Sequence, residues 1–202
     1  MKIFLFAFTA ILFVNPSIGQ NTLSKKERIF AADYMKATQD SLLRNIHGLT
    51  DSQLNFRPND SSWNIATILD HIAVSEIELI DSLKAHLALP PDPTKRSLIK
   101  ATDTTVLRVV TDRSSKSKSP SFLQPKGQFK NAQESLNAFL EQRKKNIEFI
   151  MKSQDDFRNH YGGHRLMGII DAYQAYLLIG AHSMRHILQI EEVKADPNFP
   201  KL

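Results

Sequence analysis

Prolines at positions 90, 91, 93, 120 and 125 bracket one stretch of the chain, residues 90–130, and the rest of the fold has to accommodate it. Proline has no amide proton to donate and its ring clashes with the preceding turn, so it closes helices. Only one modest helical piece fits between these prolines, around Thr104 to Asp112. Connections of this length are uncommon in a compact domain unless they cross over the fold or line a site. The segments on either side read as long helices. A crossover joining them lets the second and third helices run parallel, where a short loop would force them antiparallel. The expected fold is all-α, a four-helix bundle with a long crossover between helices 2 and 3.

Local signals place the four helices. Ser24 and Glu27 make a capping-box pair, a hydroxyl with a carboxylate three residues on. They open a first helix running to about His47, with Ile29, Phe30, Met35, Leu42, Leu43 and Ile46 as its apolar positions. Thr50 to Asp60 reads as a short connection broken by Pro58. Ser61 or Ser62 is expected to cap the second helix, Trp63 to about Leu89, where Ile65, Ile68, Leu69, Ile72, Leu79 and Leu83 recur at helical spacing. Asn131 with Glu134 offers a cap of the same type for the third helix, which continues through Phe139, Ile147 and Ile150 to about Ser153. Gly162 and Gly163 mark a loop, and the fourth helix is expected from about Leu166 to Val193. No strand-like alternation and no internal repeat stand beside these helices. The fourth is very apolar, but Asp171, Gln174, His182, Arg185 and His186 argue against a membrane span and for a core helix.

The N-terminus carries a different message. Lys2 precedes an apolar run from Ile3 to Val14, followed by Pro16, Ser17 and Gly19. Charged, apolar and small-residue regions in that order make a cleavable secretory signal, expected to cover residues 1–19 with cleavage before Gln20. An uncleaved anchor is the other reading, although the run is short for one. Residues 20–202 then form a single domain, exported to a bacterial periplasm or secreted. With no cysteine in the chain, neither a lipoprotein anchor nor a disulfide framework is available. The net charge of +5 becomes +4 once Lys2 leaves, and its basic residues are scattered apart from Arg113, Lys116 and Lys118. That cluster reads as a solvated loop. Without aromatic interleaving or a reading motif, it gives no case for nucleic-acid binding.

Three histidines hold the functional information. His182 and His186 lie four apart, so they stack on one helical face, and Leu178, Ile179 and Ile190 mark that face as buried. His71 sits near the start of the second helix among Leu69, Ile72 and Val74. Buried imidazoles need hydrogen-bond partners or a metal, because an unpaired polar group there costs a few kcal/mol. Either reading fits each histidine taken singly. Three on two facing helices, with no cysteine to compete, point to a transition-metal site with open positions. His160 and His164 share the four-residue spacing, but Gly162 and Gly163 between them break any helical chelate; His164 could still overhang a site. His47 and His86 lie near helix ends, where an imidazole favours the helix dipole.

Arg57-Pro58 followed by Ser62 to Ile72, with Trp63, Leu69 and His71 within it, resembles the N-terminal signature of the DinB-like (DinB/YfiT-like) metalloenzyme superfamily. His164 to Gly168, then Ala181 to Ile190 with His182, Arg185, His186 and Gln189, is similar to its C-terminal signature. The resemblance spans nearly the whole chain after the apolar run. It implies a four-helix bundle holding one divalent metal at His71, His182 and His186. Characterised relatives include thiol-dependent S-transferases and isomerases. The chain departs from the pattern in its export signal and in Arg165, which stands where the family usually has proline. The resemblance therefore does not name the substrate.

The residues support three functional readings. The first is a metal-dependent transferase or hydrolase acting on a small molecule, with Zn, Ni or Fe(II) all suited to imidazole. The second is a non-catalytic, exported metal-binding or stress-associated protein, and the third a helical scaffold with buried histidines. In the first, Gln189 is expected to orient a ligand, and Arg185 either holds an anionic substrate or is an exposed helix arginine. Glu76 and Glu78 are the nearest general-base candidates in sequence, and no catalytic residue is singled out. Bundles of this kind can pair as homodimers, though no exposed stripe here argues for it.

Overall fold

Helix α1, Lys25–Ile46, begins where its capping box puts it: the Glu27 amide donates to the Ser24 hydroxyl, and the Glu27 carboxylate accepts from the Ser24 amide. The computed structural model describes residues 22–114, 119–125 and 127–201; the apolar run read as an export signal, Lys116 and Lys118 lie outside them. Thr50 and Gln53 make a second capping box and turn part of the expected connection into a short helix, α2, Asp51–Asn55. Helix α3, Ile65–Leu87, is capped by Asn64 and not by Ser61 or Ser62. Both serine hydroxyls donate to the side-chain oxygen of Asn59, which spends them on the preceding turn.

The crossover then runs through a 3-10 turn at Pro93–Leu98, helix α4 at Asp103–Thr111 and a second 3-10 turn at Ser121–Leu123. Helix α5, Ala132–Lys152, is capped by Asn131. Beyond α5 the chain departs from the expected loop and early helix. Tyr161–His164 (β1) pairs antiparallel with Gly168–Asp171 (β2), so a two-stranded hairpin occupies those residues. Gly168, at φ +71°, takes the left-handed conformation at the close of the hairpin turn. Helix α6, Ala172–Lys194, starts after it, with Asp171 and Gln174 as its capping box.

Contacts between side chains fix the directions. Arg28 donates to the Ile150 carbonyl and Arg143 to the Met35 carbonyl, so α1 and α5 are antiparallel. Glu76 meets Arg143 and Asn146 while Lys84 lies over the Phe149 ring, so α3 and α5 run parallel, as the long crossover requires. The Tyr173 hydroxyl donates to the Glu27 carbonyl and Lys194 to that of Asn45, which makes α1 and α6 parallel too. Gly180 allows this last pair to pack closely, since a Cβ there would sit 2.9 Å from the Tyr34 ring and 3.0 Å from the Met35 sulfur.

The core is divided at mid-height. One apolar cluster gathers Met35, Ile80, Ile150, Phe157 and Tyr176; the other gathers Leu42, Ile65, Ile72, Phe139 and Ile187. Between them all four long helices contribute to one polar layer: Thr38, Glu76, Arg143 with Asn146, and Ser183. A third, smaller cluster (Val106, Met167, Ile170) packs α4 and the hairpin on the flank of α6. At the N-terminal end of α6, Arg158 donates to Glu27, Asp103 and Asp171, tying together the N-termini of α1, α4 and α6. No described helix is long and apolar enough to cross a membrane.

Candidate metal centre

Asn64 caps α3 two turns before His71, which fixes where that ring enters the bundle; His182 and His186 meet it from α6. Their ligand atoms all lie within 4.8 Å of one another. Nε2 of His186 is 3.0 Å from Nε2 of His71 and 3.3 Å from Nε2 of His182. His71 and His186 are buried and His182 is half-buried. The Trp63 ring covers one side, its centroid 4.9 Å from that of His71 and stacked at 6.2 Å on His186.

The far side of each buried ring sets its tautomer. His71 Nδ1 donates to the Leu123 carbonyl at 2.7 Å, and a carbonyl can only accept. His186 Nδ1 donates to Gln189 Oε1 at 2.8 Å. A neutral imidazole has one N–H, so both rings present bare lone pairs at Nε2, facing one another. Such facing acceptors repel unless a cation sits between them. Burial also pushes all three rings toward the neutral form: His71 falls below the ordinary histidine value, His186 well below it, and His182 is pushed down to about 3. The charges the rings would place on one another, and those of Arg185 and Arg113, push His182 and His186 the same way. Neutral imidazole is the form that ligates metal. No carboxylate joins the cluster among the described residues. The three rings border an open cleft of about 1650 Å³ between α3, α4, α6, the crossover and the hairpin.

The sequence pattern of the DinB superfamily matches residues 34–190. The chain belongs to the DinB superfamily. It is similar to YuaE, an uncharacterized protein of Bacillus subtilis (strain 168), with 26% identity over 149 residues covering 74% of this chain and 88% of that protein. It is also similar in structure to YfiT from Bacillus subtilis, at a TM-score of 0.55 and 19% identity, over 86% of this chain and 89% of that one. YfiT is described as a probable metal-dependent hydrolase with an unusual four-helix bundle topology. At that identity the likeness establishes the fold: an all-α DinB bundle.

Other candidate residues of this DinB protein fall in mixed places. Gln189 borders the cleft and holds His186. His164 ends β1 and borders the cleft, apart from the three-histidine cluster; its Nδ1 accepts from the Leu166 amide. Arg185 is not an exposed helix arginine, and it borders the cleft. It is half-buried and donates to the Val110 and Asp112 carbonyls, holding the end of α4 on α6. Glu76 is not placed to be a base, because both its oxygens accept from Arg143 in the core, and Glu78 is exposed on the surface. Arg113, expected in a solvated loop, instead grips Glu192 through two hydrogen bonds of 2.6 Å beside the cleft. His160 and His164 form no chelate: His160 lies 2.7 Å from each of the Asp156 and Leu89 carbonyls.

Two further features differ in how visible they are in the sequence. The Leu123 carbonyl is a backbone atom, and no residue type announces it. The Glu76–Arg143 pair does leave a signal. Arg143 lies between Phe139 and Ile147 on the apolar stripe of α5, and Glu76 between Ile72 and Ile80 on that of α3, which makes two opposite charges on facing buried stripes.

The lowered pKa values carry a prediction for stability. Below about pH 6.5 the unfolded chain takes up protons that the folded, metal-free rings refuse, so stability is lost as pH falls. His182, pushed down to about 3, should cost about 1 kcal/mol between pH 7 and pH 5.5, and His71 and His186 add to the loss in the same direction. Urea unfolding of the chelator-treated chain checks this, and His71→Phe should flatten the slope by one ring's share. An unchanged slope would show that His71 is readily protonated in the folded state.

Proposed function

We propose that the chain is an exported, metal-dependent hydrolase that binds one divalent transition ion through Nε2 of His71, His182 and His186. The observation carrying this reading is the convergence of imidazole lone pairs, two of them locked inward by the Leu123 carbonyl and Gln189. A proton could bridge one pair of nitrogens; an ion satisfies all three. When bound, the ion supplies Lewis acidity, polarising a substrate oxygen and making water nucleophilic near neutral pH. The chain's own groups do the rest. Leu123 and Gln189 aim the rings, Trp63 excludes water from one side, and Arg185 keeps α4 in place as a wall of the cleft. With three protein ligands, a bound ion would keep a position for water or substrate. The description of YfiT as a probable metal-dependent hydrolase supports the same class, and the apolar run after Lys2 supports export.

The test is metal content and turnover on the untagged chain. Elemental analysis should find about one zinc, nickel or iron(II) per chain. Hydrolysis of an aryl-ester and amide panel should vanish on chelation and return with the ion. The same panel run with added thiols separates hydrolysis from transfer. Tight metal binding without turnover on any substrate would leave a non-catalytic metal-binding protein. No metal after reconstitution with all three ions would leave a helical bundle with buried histidines.

A further inference from the structure

Gly162 and Gly163 are adjacent in β1, where glycine gives up side-chain packing and costs backbone entropy. Neither needs to be glycine for its backbone, since positive φ among the described residues occurs at Gly48, Gly127 and Gly168. Neither needs it for packing either: a Cβ at each position would meet no protein atom within 4 Å. Both border the cleft that ends at the three histidines. A strand glycine with no conformational or packing cause marks a place where a ligand approaches the backbone.

The chemistry of the opening says what kind of ligand. Leu89, Phe122 and Leu166, from the end of α3, the crossover and the hairpin, are 56%, 50% and 62% exposed and all border the same cleft. Large apolar side chains exposed together around one opening mark a surface that something covers. No lysine borders the cleft among the described residues; the carboxylates of Asp171 and Glu192 are held by Arg158 and Arg113, Asp112 accepts from the Ser114 amide, and Arg165 places an exposed cation on the hairpin rim. At about 1650 Å³ the cleft is larger than a compact polar ester would need.

We propose that the cleft takes a substrate with an extended apolar body, which lies against the bare Gly162–Gly163 backbone and presents its reactive group to the histidines. The reactive end rests on the hydrolase reading; binding of the apolar body needs no metal. Trp63, the chain's only tryptophan, borders the cleft and reports occupancy. The experiment titrates the purified full chain with hexanol, octanol and decanol, chelator present throughout, and follows Trp63 emission. Affinity should rise about threefold to fourfold per added methylene. Gly162→Val/Gly163→Val should weaken octanol binding at least tenfold, with the alanine pair intermediate. Neither variant should melt lower than the parent, because both residues suit a strand better than glycine. A response without chain-length dependence, or variants that bind like the parent, would overturn the assignment. Binding only after residues 1–19 are removed would also overturn it, giving the cleft to the chain's own apolar run. Failure of the metal analysis would leave these titrations untouched, so the two ideas fall separately.

Discussion

Replacing His186 with alanine is expected to abolish stoichiometric metal binding and the thermal shift the metal produces. His186 is the shared member of the cluster, with its Nε2 3.0 Å from His71 and 3.3 Å from His182. Removing it leaves only two of the three imidazole ligands. Loss of an outer partner such as Gln189 typically weakens metal affinity about 10–100-fold, so Gln189→Leu sets the lower reference and His186→Ala should exceed it. Zinc at 100 times its dissociation constant should stabilise the parent by about 2.7 kcal/mol and the alanine variant not at all. Melting temperature with and without zinc reads this directly. The metal-free comparison separates the alternatives. If the rings were only core packing, truncating one would cost about 3–5 kcal/mol, as for a large buried aromatic. If they are ligands held apart for a cation, deleting one also relieves facing lone pairs, and the metal-free loss should be clearly smaller. A variant that keeps its zinc shift would remove the three-histidine site.

The second large effect lies in the polar layer beneath the site. Arg143→Met should cost about 3–5 kcal/mol, because it leaves the Glu76 carboxylate in the core with only Asn146 to donate to it. Both partners of the pair have 0% side-chain exposure, and Arg143 also donates to Met35, Thr38 and Ser183. Pairing Glu76→Met with Arg143→Met should recover much of the loss, since the desolvation cost of both charges disappears with them. A double-mutant cycle from urea unfolding measures the coupling. Ser183 is the neighbour of His182 on α6, so Arg143→Met should also weaken zinc binding in the fraction that stays folded. A loss near 1 kcal/mol would instead place the pair in contact with water.

The bundle was legible because its signals are local. Capping residues at Ser24 and Asn131, helical spacing of apolar residues, and the prolines from 90 to 125 are read within a turn or two of chain. The hairpin was not. Leu166, Met167, Ile169 and Ile170 continue the apolar pattern of α6 backward, and pattern alone cannot tell a short apolar run in a strand from the first turn of a helix. The Asp171–Gln174 capping box was the available correction. Asn64 won the cap of α3 from Ser61 and Ser62 because Asn59 had already taken both hydroxyls, a competition among three neighbouring side chains.

For the site the division is sharper. Which residue types could bind a metal, and that His182 and His186 share a helical face, come from spacing in one segment, because helical geometry repeats wherever the helix forms. That His71 arrives at the same point, that the Leu123 carbonyl turns its ring, that Arg185 is spent on the end of α4, and that Glu76 is locked to Arg143 depend on atoms 52 to 115 residues apart in the chain. Only packing brings such atoms within a hydrogen bond of each other, and a backbone carbonyl carries no mark in the sequence of the role that packing assigns it.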